Sequence, residues 1–169
     1  EGFIQVTKFA INFSIKNKLK LIFIIKRSRG KLGEIELEYY KKFLSQRDFT
    51  YLTKNLIKVK RNKYNSYSLI HESRVAIGVC STMLRDKISL NGKILACNNT
   101  KLNLYNFPIS GICSINNASY NNFSKRLEKI LRMNNKVFLK EMKNKRLVNT
   151  DKHNFTFTYL NQHLDEILL

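Results

Sequence analysis

The chain has 169 residues, of which 31 are Lys or Arg and 12 are Asp or Glu, giving a net charge of +19. That length fits one domain with a real core and is short for a two-domain enzyme. The apolar run Leu21–Ile25 is far too short to span a bilayer, and Gly-rich phosphate loops of the P-loop or GxGxxG kind are absent, which disfavours a kinase or a dinucleotide oxidoreductase.

The charge alone is a weak guide to a partner. Lys outnumbers Arg 22 to 9, alongside 20 Asn and 17 Ile, the set that an A/T-rich coding sequence yields whatever the function. The basic residues are spread along the whole chain, so only non-specific phosphate binding at low salt is implied.

In chain order, Phe3, Val6, Phe9, Ala10 and Phe13 fall at helical spacing directly after Glu1, as expected of a piece of a longer fold. Leu19 to Ile25 reads as a parallel strand buried on both faces. It runs into Lys26-Arg27-Ser28-Arg29-Gly30-Lys31. Positive charge at a strand's carboxyl end suits a phosphate site, with Arg27 and Arg29 able to grip two oxygens each; a solvated basic loop is the alternative. Glu34 to Leu44 reads as a helix with acids in its first turns, and Phe49 to Val59 as a short helix or a strand-like connection. Ser66 caps a short helix leading to the next strand, on which Tyr67 and His71 serve packing or face a ligand.

Val75 to Val79 is a short apolar run that reads as a buried strand. Ser81-Thr82 follows as an N-cap, and Met83, Leu84, Lys87, Ile88 and Leu90 continue at helical spacing until Asn91-Gly92 ends the helix. Lys93 to Cys97 is the next strand. In a parallel sheet the Ser-Thr turn lies at the carboxyl end of a strand, where ligands bind. A polar loop through Pro108 leads to a last strand near 111–115. Ser119 starts a helix with Phe123, Leu127, Ile130 and Leu131 on one stripe and Lys125, Arg126 and Lys129 on the other. Val137 to Leu147 continues as helix, and Phe155 to Leu169 forms a final one. Cys80, Cys97 and Cys113 are odd in number, lack CxxC spacing and read as buried reduced thiols. Strands alternating with helices favour an α/β fold with a parallel sheet.

The pattern Ser81-Thr82, three residues, Asp86, then Gly92-Lys93 before a strand resembles the donor-nucleotide loop of GT-B glycosyltransferases, notably those of bacterial surface and capsular polysaccharide. The resemblance covers Leu19 to Leu131, and its specific part is Ser81–Lys93. Asp86 stands where the family usually carries Glu, and the helix to Gly92 is one residue longer, so Asp86 or Lys87 takes the acid's place. The resemblance implies a Rossmann-like three-layer α/β/α domain over residues 1–169, equivalent to the C-terminal half of a GT-B fold without its N-terminal acceptor half. It implies a nucleotide-sugar donor held by Arg27, Arg29, Ser81, Thr82, Arg85, Asp86, Tyr67 and His71. No DxD motif is present, so no metal and no cofactor are called for. The acceptor would be a saccharide or a lipid-linked saccharide, and the catalytic base would lie in the other half. The expected location is the cytoplasm, with peripheral attachment to the inner membrane face left open and no specific nucleic acid expected. Two other readings stand beside this one. They are a sugar-nucleotide 2-epimerase, which shares a Ser-rich loop and following acid, and a non-catalytic basic α/β module that binds nucleic acid or an anionic surface.

Overall fold

The computed structural model describes residues 1–25, 30–57 and 65–143. Its centre is a three-stranded parallel sheet of β1 (Ala76–Gly78), β2 (Ile94–Asn98) and β4 (Ser114–Asn116), in the order β1-β2-β4. Ala76 pairs with Ile94 and Ala96 with Ser114, so β2 is the middle strand. All five of its residues are buried. Successive side chains of a strand point to opposite faces, so both faces of the sheet are covered. The cover comes from α1 (Gly2–Lys16), α5 (Thr82–Ser89) and α6 (Tyr120–Arg132), each packed against β2. Phe9 of α1 meets Phe123 of α6 with ring centroids 5.5 Å apart. An α/β domain with a parallel sheet is therefore present, as the alternating pattern implied.

Beyond α1, the helices α2 (Gly30–Phe43) and α3 (Gln46–Lys54) build a satellite core of Ile4, Leu44 and Leu52. Ser45 caps α3 by accepting from the Asp48 amide at 3.2 Å. The helix α4 (Asn65–Glu72) packs on α5 and leads into β1. After α5 the backbone of Asn91 turns left-handed (φ 59°), and the Gly92 amide closes the end by donating to the Lys87 carbonyl at 2.7 Å. A Cβ at Gly92 would lie 2.5 Å from Cγ of Lys87, so that close approach needs glycine.

Three sequence expectations need correction. Residues 19–25 do not form a strand of the sheet. Phe23 makes one isolated parallel bridge to Leu56, with its amide donating to the Asn55 carbonyl at 2.9 Å. Its neighbour is the chain leaving α3, and no second ladder pair follows to extend the bridge into a strand. The span 111–115 is not one strand but two in different sheets. Gly111, at φ 91°, ends β3 (Ser110–Gly111), and the chain turns before β4 starts at Ser114. The helix expected over 137–147 stops early, as α7 (Asn135–Lys140). Residues 142–143 become β5 (Met142–Lys143), antiparallel to β3, and the Glu141 carbonyl accepts from the Ile112 amide at 3.3 Å. Residues 144–147 and the final helix expected over 155–169 lie outside the described residues.

Candidate functional site

β1 and β2 are parallel, and Gly78 at the end of β1 lies beside Ala96, so β2 runs two residues further, to Asn98. The chain leaves β1 through buried Val79 and exposed Cys80, then turns into α5. Ser81 is the N-cap, extended at φ −143° and ψ 139°. Its Oγ accepts from the Met83 amide at 3.3 Å, and its carbonyl accepts from the Leu84 amide at 3.1 Å. Thr82 opens the helix and is exposed. Its amide has no acceptor within the helix, whereas the amides of Met83 and Leu84 are taken by Ser81. The helix dipole adds partial positive charge at this end, and two hydroxyls stand beside it. Leu84 and Ile88, both in the main core, fix the axis of α5 against the sheet.

Arg85 is exposed and Asp86 half-buried on the same helix. Thr82 and Asp86 are four residues apart, hence on one face and about 6 Å apart along the axis. Burial raises the pKa of the Asp86 carboxyl above its ordinary value. Tyr67 lies on α4, 52% exposed, and His71 lies in the last turn of that helix. The carbonyls of Ile70, His71 and Ser73 all accept from Lys87 Nζ, in the last turn of α5. The C-terminus of α4 thus meets the end of α5 remote from Ser81. Ser81, Thr82, Arg85 and Asp86 share the first half of one helix, while the backbone of His71 meets Lys87 near that helix's other end. Arg27 and Arg29 lie outside the described residues.

Sequence reasoning missed two features. Lys87 and Lys93 are buried, at 3% and 6% exposure. Lys93 Nζ donates to the carbonyls of Ile130 at 3.0 Å and Met133 at 2.6 Å, so it closes the C-terminus of α6 as Lys87 closes that of α4. Burial lowers both ammonium pKa values, with Lys93 adding repulsion at Lys87 and Arg74 at Lys93. A signal existed, since Lys87 falls at core spacing between Leu84 and Ile88. The second feature is a polar lock at the carboxyl end of β2. Asn98 Nδ2 donates to the Leu102 carbonyl at 3.0 Å and to Asn106 Oδ1 at 2.7 Å, and its Oδ1 accepts from the Thr100 amide at 2.9 Å. Asn99 Nδ2 donates to Gln5 Oε1 and to the Ala118 carbonyl, each at 2.8 Å. These bonds set the loop that follows β2 and tie it to α1.

The thiols are free; Cys97 and Cys113 are buried, but Cys80 is exposed, correcting the reading of three buried cysteines. The strand ends at Gly78, and the turn to α5 leaves Cys80 outside the core. Burial pushes the Cys97 thiol up to about 12 and the Cys113 thiol up to about 11. Among the described residues no three His, Cys, Asp or Glu side chains form a group able to hold a metal, and no helix is long and apolar enough to cross a membrane. Two shallow surface hollows among the described residues lie away from Ser81. One is on α2, beside Ile35 and Tyr39, and the other on α6, beside Lys125 and Arg132. Neither hollow includes Ser81 or Thr82. In comparisons with protein-family models, curated proteins and solved structures, the chain matches none.

Proposed function

We propose that the chain is the nucleotide-sugar-binding part of a GT-B glycosyltransferase of surface polysaccharide biosynthesis, its parallel sheet the core of a Rossmann-like three-layer domain. The observation that carries the reading is the start of α5. A Ser-capped helix opens at the carboxyl end of a parallel strand, whose last residue lies beside Ala96 of the middle strand, with Thr82 exposed next to the cap. In this reading the donor diphosphate lies on the Thr82 amide and the Ser81 and Thr82 hydroxyls, where charge builds as the glycosidic bond breaks. Arg85, Arg27 and Arg29 add positive charge. Asp86, one turn along, accepts from ribose hydroxyls, and Tyr67 on α4 offers a ring to the base. The acceptor, a saccharide or lipid-linked saccharide, and the base that deprotonates it belong to the other half of such a fold.

Calorimetric titration of uridine and cytidine diphosphates into the wild type, Ser81→Ala/Thr82→Ala and Arg27→Ala tests the assignment. Hydrogen bonds to a charged group contribute about 1.5–3 kcal/mol each, so losing two should weaken binding far more than tenfold, tenfold being about 1.4 kcal/mol. Arg27→Ala should weaken binding and leave the urea midpoint unchanged. If the hydroxyls only cap α5, the double variant loses about 1–2 kcal/mol of stability and keeps its affinity. Unchanged affinity in both variants, or no binding by the wild type, removes the assignment.

A further inference from the structure

Seven basic and two acidic residues lie between Tyr120 and Lys143, a net charge of +5. Lys125, Lys129 and Arg132 stand at i, i+4 and i+7 on α6, and they line one shallow groove with Glu128 and Met133. Both acids are engaged. Glu128 pairs with Arg132, and Glu141 pairs with Lys129 at 2.7 Å. The second pair joins the end of α7 to α6, so Lys140 and Lys143, one and two residues from Glu141, lie near that groove. Lys125, Lys136, Lys140 and Lys143 are exposed, and no ion pair among the described residues engages them. Val137, 40% exposed, stands among these lysines.

The face lies at the edge of the sheet opposite Ser81. Lys93, just before β2, binds the carbonyls that end α6, and Arg74, just before β1, donates to the Leu131 carbonyl at 3.1 Å. The end of α6 therefore sits at the amino ends of the strands, while Ser81 follows the carboxyl end of β1. The basic residues thus gather on a surface that the Ser81 turn does not use.

We infer that this face docks onto an anionic lipid bilayer. Its free cations are all lysines, point charges suited to the diffuse potential of a bilayer. Its one exposed arginine is already held by Glu128, which leaves no free fork to grip individual nucleic-acid phosphates. Val137, beside Lys136 and three residues before Lys140 on α7, supplies an exposed apolar contact, where a nucleic-acid surface would carry aromatic platforms for stacking bases. The inference is independent of the function proposed for Ser81.

The test is flotation of the full chain with phosphatidylcholine vesicles, with and without phosphatidylglycerol, at about 0.15 M salt. The variant Lys125→Gln/Lys136→Gln/Lys140→Gln should bind the anionic vesicles about a hundredfold more weakly, from about 1 kcal/mol per lysine. Lys20→Gln/Lys42→Gln/Lys54→Gln, with the same loss of charge elsewhere, should bind within a few-fold of wild type. Val137→Asn, with charge unchanged, should also weaken binding. Urea midpoints equal to wild type show that the variants are folded. Equal losses from the two lysine triples mean that net charge alone acts, and overturn the inference. Displacement of the chain from vesicles by single-stranded DNA of matched charge, or full binding by Val137→Asn, overturns it in favour of a polyanion surface.

Discussion

Lys87 and Lys93 each bury an ammonium group among backbone carbonyls, where a helix runs out of partners. Replacing Lys87 with Met leaves the carbonyls of Ile70, His71 and Ser73 without their donor, so about 2–4 kcal/mol of stability should go, read as a lower urea midpoint. An unchanged midpoint would show that water takes over the carbonyls. The buried thiols make a second prediction. Cys97 and Cys113 keep their protons in the fold to about 12 and about 11, against an ordinary value of 9.0. Above about pH 9 the unfolded chain gives up protons that the fold retains, so the unfolded state binds fewer protons and stability falls as pH rises. Each thiol should cost about 1.4 kcal/mol per pH unit between pH 9 and 11. The lowered lysine pKa values act in the opposite sense, so the measurement is a difference. The stability advantage of the wild type over Cys97→Ala/Cys113→Ala should shrink steadily between those pH values in urea titrations. Of these residues, the Ser81 cap was legible, since a hydroxyl before an apolar helical pattern has few other uses. The buried lysines were legible only in the core spacing of Lys87, because a lysine's type says water and the carbonyls these two meet lie 14 to 40 residues away.

Elements were readable where their own residues decide them. The helices α1, α5 and α6 follow their apolar stripes, and Ser81 and Ser119 cap α5 and α6 as their positions suggested. The strands are two to five residues long, and such runs take their identity from the neighbour they find. Leu19 to Ile25 is apolar enough for a strand, yet only Phe23 meets a partner. The run 111–115 divides because Gly111 adopts φ 91°. A Cβ there would stand 2.5 Å from the Glu141 carbonyl oxygen, in the backbone that carries β5. Gly111→Ala should therefore cost about 1–3 kcal/mol and loosen the β3–β5 pair, seen as faster exchange of the Ile112 amide, which donates to the Glu141 carbonyl at 3.3 Å. Arg126 Nη1, which donates to the Gly111 carbonyl at 2.6 Å, ties this corner to α6. Retained exchange protection in Gly111→Ala would mean that the two-stranded sheet tolerates a shifted backbone.

At the scale of the molecule, the main core spans the parallel sheet with α1, α5 and α6, whereas α2 and α3 rest on a cluster of three buried residues against α1. A small apolar contact holds little free energy, so α2 and α3 should open before the sheet. Native-state hydrogen exchange should give β2 and α6 the highest opening free energies and α2 and α3 clearly lower ones. Equal values would mean one cooperative unit. The class of fold was legible, because alternating strand and helix patterns admit few architectures, and so was the carboxyl-edge location of the Ser81 turn. The distribution of charge was not. Along the chain the cations look evenly spread, and only the folding of α6, α7 and β5 onto one another gathers them.

Cys80 is the exposed member of the three thiols, one residue before the helix cap. A maleimide fluorophore should couple there selectively in the native wild-type chain, with no cysteine removed beforehand. Attached at that point, the dye would sit one residue from the helix cap, and under the proposed function its emission should change when a nucleoside diphosphate is added. The chain thus offers a natural attachment point for an optical test of that turn, one that also suits ligands whose chemistry is not chosen in advance.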